Sequence, residues 1–280
     1  MTRPSRPPVR DPENEAALYD GVFVPRVGKR LATWLASRVA EGSRLRALDP
    51  CCRTGAVCQA LLERLDPASR LVAVDADAAF LELARRRALV HEGRRIFFKV
   101  EQPDALGFDD AVFDLVAVHW PPAPPSATTR LLSEARRVLV PGGRLLLVCA
   151  LAGSFEEPLD ALREVALRFD RPELAARADA LAARYPGAAG LTGAVRAAGF
   201  EDVSLEIDDI VLPFRHARAL VSDPLARWLG VRDCEQACGA GPEGERLFGD
   251  VERTLDVYHG GGPLSLRMHA GLVSARRAED

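Results

Sequence analysis

Long apolar runs are missing from this sequence. No stretch approaches the roughly 20 uninterrupted apolar residues of a membrane-spanning helix. The opening residues Met1-Thr2-Arg3-Pro4-Ser5-Arg6-Pro7-Pro8 lack the apolar segment of a secretory signal. A cytoplasmic protein with no membrane contact is therefore expected. A basic excess is missing too. The 37 basic residues are outnumbered by 40 acidic ones, for a formal net charge of −3. A protein that coats nucleic acid carries a positive surplus, because neutralising phosphates dominates that affinity. Lysine is nearly absent: Lys29 and Lys99 are the only ones, and every other basic side chain is arginine. That skew reads as compositional bias rather than as a phosphate site. Recognition of one nucleotide stays open; coating of a polyanion does not.

Metal-ligand spacing is lacking as well. The cysteines stand at 51, 52, 58, 149, 234 and 238, and no second pair of Cys or His residues completes a zinc set. In a chain of 280 residues with no secretory signal, reduced and buried thiols are the expectation. Nothing in the composition sets an oligomeric state.

What is present is alternation. Residues 1–12 are rich in Pro and Arg without periodicity and read as a disordered tail. Glu13–Ala40 reads as helical, with Leu31, Trp34, Leu35 and Val39 on one side. Short apolar strands follow at 44–49, 71–75, 95–100, 113–118 and 144–150, separated by helical patterns at 56–65, 78–90 and 126–139. The run Arg85-Arg86-Arg87 reads as a solvated helical face. Apolar strands alternating with helices at this spacing indicate βαβ units and a parallel sheet covered on both faces. Right-handed crossovers then give a doubly wound α/β architecture. Past Leu151 the pattern is helical at 155–185 and 191–198, a strand at 203–212, helices at 217–229 and 243–258, and a last strand at 264–275. The glycine clusters near 239–244 and 260–262 mark loops.

Open sheets of this type bind ligands at the carboxyl ends of their strands. The first strand ends in Asp49, followed by Pro50-Cys51-Cys52-Arg53-Thr54-Gly55 and a helix. The second ends in Asp75, beside Ala76 and about 20 residues past the turn, where a carboxylate is placed to accept from a ribose diol. Asp75 is otherwise simply the cap of the following helix. The fourth strand ends in Val118-His119-Trp120-Pro121-Pro122. His119 reads either as a general base titrating near neutrality or as a hydrogen-bonded loop histidine. Trp120 either lines an acceptor pocket or packs under the proline-rich loop.

The order Leu48-Asp49-x-x-Cys52-x-Thr54-Gly55, then Val74-Asp75, then Leu106-Gly107-Phe108-Asp109-Asp110-Ala111-Val112-Phe113-Asp114-Leu115-Val116 resembles the class I S-adenosylmethionine-dependent methyltransferases. The segment from Glu134 through Pro141-Gly142-Gly143 into the next strand continues the resemblance toward the type 11, small-molecule branch. The likeness covers residues 13–150 well, and the remainder loosely through Ala198-Gly199-Phe200. It implies a seven-stranded sheet in one domain over 13–280, with helical insertions at about 155–185 and 215–258 shaping an acceptor pocket. It also implies methyl transfer from S-adenosylmethionine to a small-molecule acceptor.

Two departures stand out. In the family the first loop reads roughly Asp-x-Gly-x-Gly-x-Gly, whereas here Cys51 and Arg53 replace two glycines and only Gly55 remains. Arg53 either fills the volume of the methionine moiety or pairs with its carboxylate. After the third strand, where relatives often carry an Asp that accepts from the adenine amine, this chain has Gln102-Pro103-Asp104. By resemblance, Asp49, Cys51, Arg53, Gly55, Asp75, Ala76, Gln102, Pro103, Asp104 and His119 would hold the cofactor. His119 would be the catalytic base, with Tyr19 and Trp120 on the substrate side. The altered loop leaves a second expectation: a methyltransferase fold kept as a binding or regulatory module.

Overall fold

The computed structural model describes residues 12–121 and 123–279. The tail expected over residues 1–12 lies outside these apart from Pro12, which opens helix α1 (Pro12–Leu18). Seven strands form one sheet: β1 (Arg46–Asp49), β2 (Arg70–Asp75), β3 (Ile96–Val100), β4 (Phe113–His119), β5 (Leu139–Ala150), β6 (Phe200–Phe214) and β7 (Leu264–Arg277). Their order is β3-β2-β1-β4-β5-β7-β6. β1 runs parallel to β2 and β4, and β2 parallel to β3, while β6 and β7 pair antiparallel. The expected mostly parallel, seven-stranded sheet is present, with one antiparallel pair at its edge. Val116, Ala117 and Val118 on β4 are all fully buried. A central parallel strand is covered on both faces, which is why these strands read as unbroken apolar runs.

The chain divides into two compact units. One holds the described residues up to His119 together with Arg137–Arg144; the other holds Trp120–Arg136 and the chain from Leu145 onward.

In the first unit, α3 (Ala56–Arg64) follows β1 and α4 (Ala78–Arg87) follows β2. The N-terminal helix differs from the single run expected over 13–40. After α1 the chain widens into a π-helical stretch, Tyr19–Gly28, and returns to α-geometry in α2 (Lys29–Ala36). Pro25 lies inside the wide stretch. It lacks an N–H, and its ring would collide with the carbonyl four residues back in an ordinary helix. Widening relieves that collision, and the Lys29 N–H donates to the Val24 carbonyl five residues back. Tyr19, Phe23 and Val27 on this stretch are buried.

In the second unit, α5 (Pro125–Val138) leads toward β5. The turn expected at 141–143 falls inside β5 as a bend, with Gly142 at φ 74°. The helix expected across 155–185 is broken into α6 (Glu156–Arg168) and α7 (Pro172–Ala182), with Asp170 between them at φ 52°. Next come α8 (Ala188–Ala197), α9 (Ala217–Ser222), α10 (Pro224–Ala226), α11 (Arg232–Cys238) and α12 (Gly241–Tyr258). β6 and β7 run longer than the 203–212 and 264–275 expected, and β6 carries a register shift between Glu201 and Ser204. Among the described residues no helix is long and apolar enough to cross a membrane.

Candidate active site

The strand order reverses at β1, which has β2 on one side and β4 on the other. At such a switch the carboxyl ends of adjacent strands open onto a crevice, and Asp49, Cys51, Arg53, Gly55, Asp75, Tyr19 and His119 meet here. Asp49 ends β1 and is fully buried. Its Oδ1 accepts from the Cys51 N–H at 3.2 Å and its Oδ2 from the Cys58 thiol at 3.4 Å. Burial pushes its carboxyl up to about 7, with those two bonds opposing the rise. The Cys52 N–H donates to the Val74 carbonyl at 2.8 Å, and the Gly55 N–H closes the turn onto the Cys52 carbonyl at 2.8 Å. Burial raises the Cys51 and Cys52 thiols, so both stay protonated.

The loop keeps the backbone of a glycine turn in spite of its side chains. Gly55 lies at φ 83°, and a Cβ there would meet the Ala84 Cβ at 3.2 Å. Arg53 lies at φ 50°, a left-handed conformation that costs a non-glycine residue about 1–2 kcal/mol. Asp75 holds the turn in that shape: its Oδ2 accepts from the Arg53 N–H at 2.9 Å and its Oδ1 from the Asp77 N–H at 3.0 Å. Burial raises the Asp75 carboxyl while the Arg53 charge opposes the rise. The helix cap is a different residue, Asp77, whose side chain accepts from the Ala79 N–H.

The Arg53 guanidinium lies over the Phe80 ring, 3.9 Å from its centroid, and 5.4 Å from that of Tyr19. Tyr19 reaches the same place from the π-helical stretch. Its ring stacks on Phe23 (4.8 Å, 22°) and meets Phe80 edge-on (5.5 Å, 65°). Its Oη lies 3.3 Å from His119 Nδ1. Phe23 in turn stacks on the His119 ring (5.5 Å, 7°). Burial and then the Arg53 charge lower the His119 imidazole to about 4, so it is neutral at physiological pH. Arg87, on the last turn of α4, pairs with Asp20 and reaches Thr54 Oγ1 at 3.5 Å, tying the N-terminal stretch to the loop.

Gln102 is exposed, and Pro103 and Asp104 are partly so. The Ala105 N–H donates to the Gln102 carbonyl at 3.2 Å. Glu101 pairs with Lys99 and accepts from the Gly107 N–H at 3.1 Å. Ala76 is exposed beside Asp75. Trp120, in the second unit, is buried; its backbone N–H donates to Val148 and its Nε1–H to Thr128 Oγ1 at 3.1 Å. Its polar atom is therefore already satisfied. Phe80 and Phe23 escaped the sequence reading, although an aromatic five residues past Asp75 in the first turn of α4 was a usable signal. Among the described residues no group of three or more His, Cys, Asp or Glu side chains is placed to hold a metal. All six cysteines are free and buried.

Residues 47–143 match a protein family described as a methyltransferase domain. The demethylmenaquinone methyltransferase of Lactiplantibacillus plantarum is 30% identical over 124 residues, which is 44% of this chain and 52% of that protein. The protein of the same name from Deinococcus radiodurans is 32% identical over 164 residues, 53% of this chain and 66% of that one. The chain thus spans about half the length of the curated relatives it matches. Among solved structures, a Haemonchus contortus phosphoethanolamine N-methyltransferase, in complex with phosphomonomethylethanolamine and S-adenosylhomocysteine, superposes with a TM-score of 0.57 at 14% identity. It covers 97% of this chain and 59% of that one, a likeness of fold. The strand order is that of the class I methyltransferase fold, and the segment 47–143 matches the methyltransferase-domain family.

Proposed function

We propose that this chain transfers a methyl group from S-adenosylmethionine to a small molecule. The observation that carries the reading is the buried Asp75 carboxylate at the end of β2, facing a loop that keeps glycine-turn backbone angles at Arg53 and Gly55. The residues present fit the group chemically. Each Asp75 oxygen accepts one backbone N–H and keeps acceptor capacity for a ribose hydroxyl. The Asp75 carboxylate supplies negative charge that suits a ligand carrying a sulfonium and an ammonium. When bound, S-adenosylmethionine supplies a methyl group already activated for displacement, so positioning is the protein's chief task.

Tyr19, Phe23 and Phe80 form an apolar wall that excludes water at this end of the sheet. His119, held neutral, is a proton acceptor for an acceptor hydroxyl. In the tautomer whose Nδ1–H donates to Tyr19 Oη, its Nε2 lone pair is free for that proton. The demethylmenaquinone methyltransferase relatives make a demethylated hydroquinone the first acceptor to assay. Calorimetric titration with S-adenosylhomocysteine tests the reading, with micromolar binding as the expected result. No heat and no thermal shift at millimolar ligand would overturn it and leave a non-catalytic binding module.

A further inference from the structure

Arg53 occupies a place where the fold accommodates glycine, yet among the described residues its guanidinium makes only ring contacts. Resting on the reading above, we propose that Arg53 is a carboxylate receptor built into the first loop. Its role is to make the site select adenosyl ligands that carry an amino-acid tail over those that lack one.

The backbone of Arg53 is fixed on both sides. Its N–H is held by Asp75 Oδ2 at 2.9 Å and its φ is 50°, so the side chain leaves the loop in a direction set by the ends of β1 and β2. The guanidinium lies face-on to Phe80, a ring that is itself fully buried. Stacking on a ring face uses none of the five N–H donors. Among the described residues that guanidinium makes no hydrogen bond and no ion pair. The half-buried guanidinium therefore keeps its N–H donors available to a ligand. The Arg53 charge acts on the nearby Asp75 carboxyl, but neither Asp75 oxygen accepts from the guanidinium: they take the backbone N–H groups of Arg53 and Asp77, and those of Asp49 take the Cys51 N–H and the Cys58 thiol. Tyr19 stays a phenol and His119 an uncharged ring. The internal groups thus leave the cation to be met by an incoming anion. A carboxylate matches it best, since its two oxygens fit the planar fork of arginine. A ribose held at Asp75 places a flexible carboxylate-bearing arm on the same loop.

Substitution by glycine is tolerable at this position. It removes the cation–π contact with Phe80 and relieves the left-handed strain, two effects of opposite sign.

The test compares two ligands that share the adenosyl thioether, S-adenosylhomocysteine with its carboxylate and 5′-methylthioadenosine without one. Each is titrated calorimetrically into the wild-type protein and into Arg53→Gln, Arg53→Lys and Arg53→Gly. The proposal expects Arg53→Gln to weaken S-adenosylhomocysteine about 10- to 100-fold, the size of a charge-assisted contact, and to leave 5′-methylthioadenosine within about threefold. Arg53→Lys should restore part of the difference. Where the glutamine variant does not fold, Arg53→Gly carries the same comparison. Equal weakening of both ligands, or equal strengthening, would overturn the proposal while the methyltransferase reading stands. Failure of wild type to bind either ligand would overturn both.

Discussion

The two ends of the proposed nucleoside crevice are built very differently in this chain. At the ends of β1 and β2, Asp49 and Asp75 are buried, and each carboxylate is tied to backbone N–H groups. Beyond β3, Gln102 stands in solvent on a short turn closed by its own carbonyl. Its acidic neighbour Glu101 is occupied by Lys99 and the Gly107 N–H. The lesson is one of preorganisation. A group held in place by backbone contacts presents its free lone pairs without further ordering, whereas an exposed amide must be ordered on binding. Ligand affinity should therefore rest on the first region and only weakly on the second.

The hardest way to break this contrast is Asp75→Ala. Removing it takes away the two oxygens proposed to accept from the ribose and the anchor of the Arg53 and Asp77 N–H groups. Binding of S-adenosylhomocysteine should fall by about 100-fold or more, read by calorimetry, with a drop in melting temperature alongside. His119→Asn comes next. It should lower kcat about 100-fold for a hydroxyl acceptor while leaving the cofactor Kd close to wild type, read from initial rates and titration. A Kd that rose as kcat fell would assign the ring to binding instead.

A third experiment sharpens the buried side alone, through pH. Folded Asp49 keeps its proton up to about 7, against an ordinary value of 3.8. Between those values the unfolded chain binds fewer protons, so this group makes stability fall as pH rises. Folded His119 stays neutral down to about 4, against an ordinary 6.5. There the unfolded chain binds more protons, so stability rises with pH over that window. The two nearly cancel in the wild type between pH 4 and 6.5. Asp49→Asn should unmask a rising slope and His119→Asn a falling one, each approaching 1.4 kcal/mol per pH unit at most. Denaturant melts at three pH values read both, and parallel slopes in the two variants would refute the assignment. The smallest effect belongs to the open side: Gln102→Ala should change S-adenosylhomocysteine affinity by less than about threefold.

Much of this arrangement was legible beforehand, for a local reason. Asp49 and Asp75 end strands of buried apolar residues, and a strand end is readable from the sequence alone because burial imposes its pattern there. The spacing from Gly55 to Asp75 pointed to the carboxylate now proposed as the ribose acceptor. Other features were illegible because they depend on neighbours. The helix expected over 13–40 is broken by a π-helical stretch because Pro25 must be accommodated within a packed segment. Phe80, predicted only as part of a helix, turned out to carry the guanidinium of Arg53.

By itself the sequence determined the order of strands and helices and the two carboxylates at strand ends, since apolar periodicity and turn residues act over a few positions. The tertiary structure alone decided that Tyr19 and His119, 100 residues apart, would meet at 3.3 Å, and that the histidine would be neutral. It also decided that Arg53 would take a left-handed backbone and lie on an aromatic ring. Side-chain direction, burial and local charge arise from the packing of distant segments, and no local pattern encodes them.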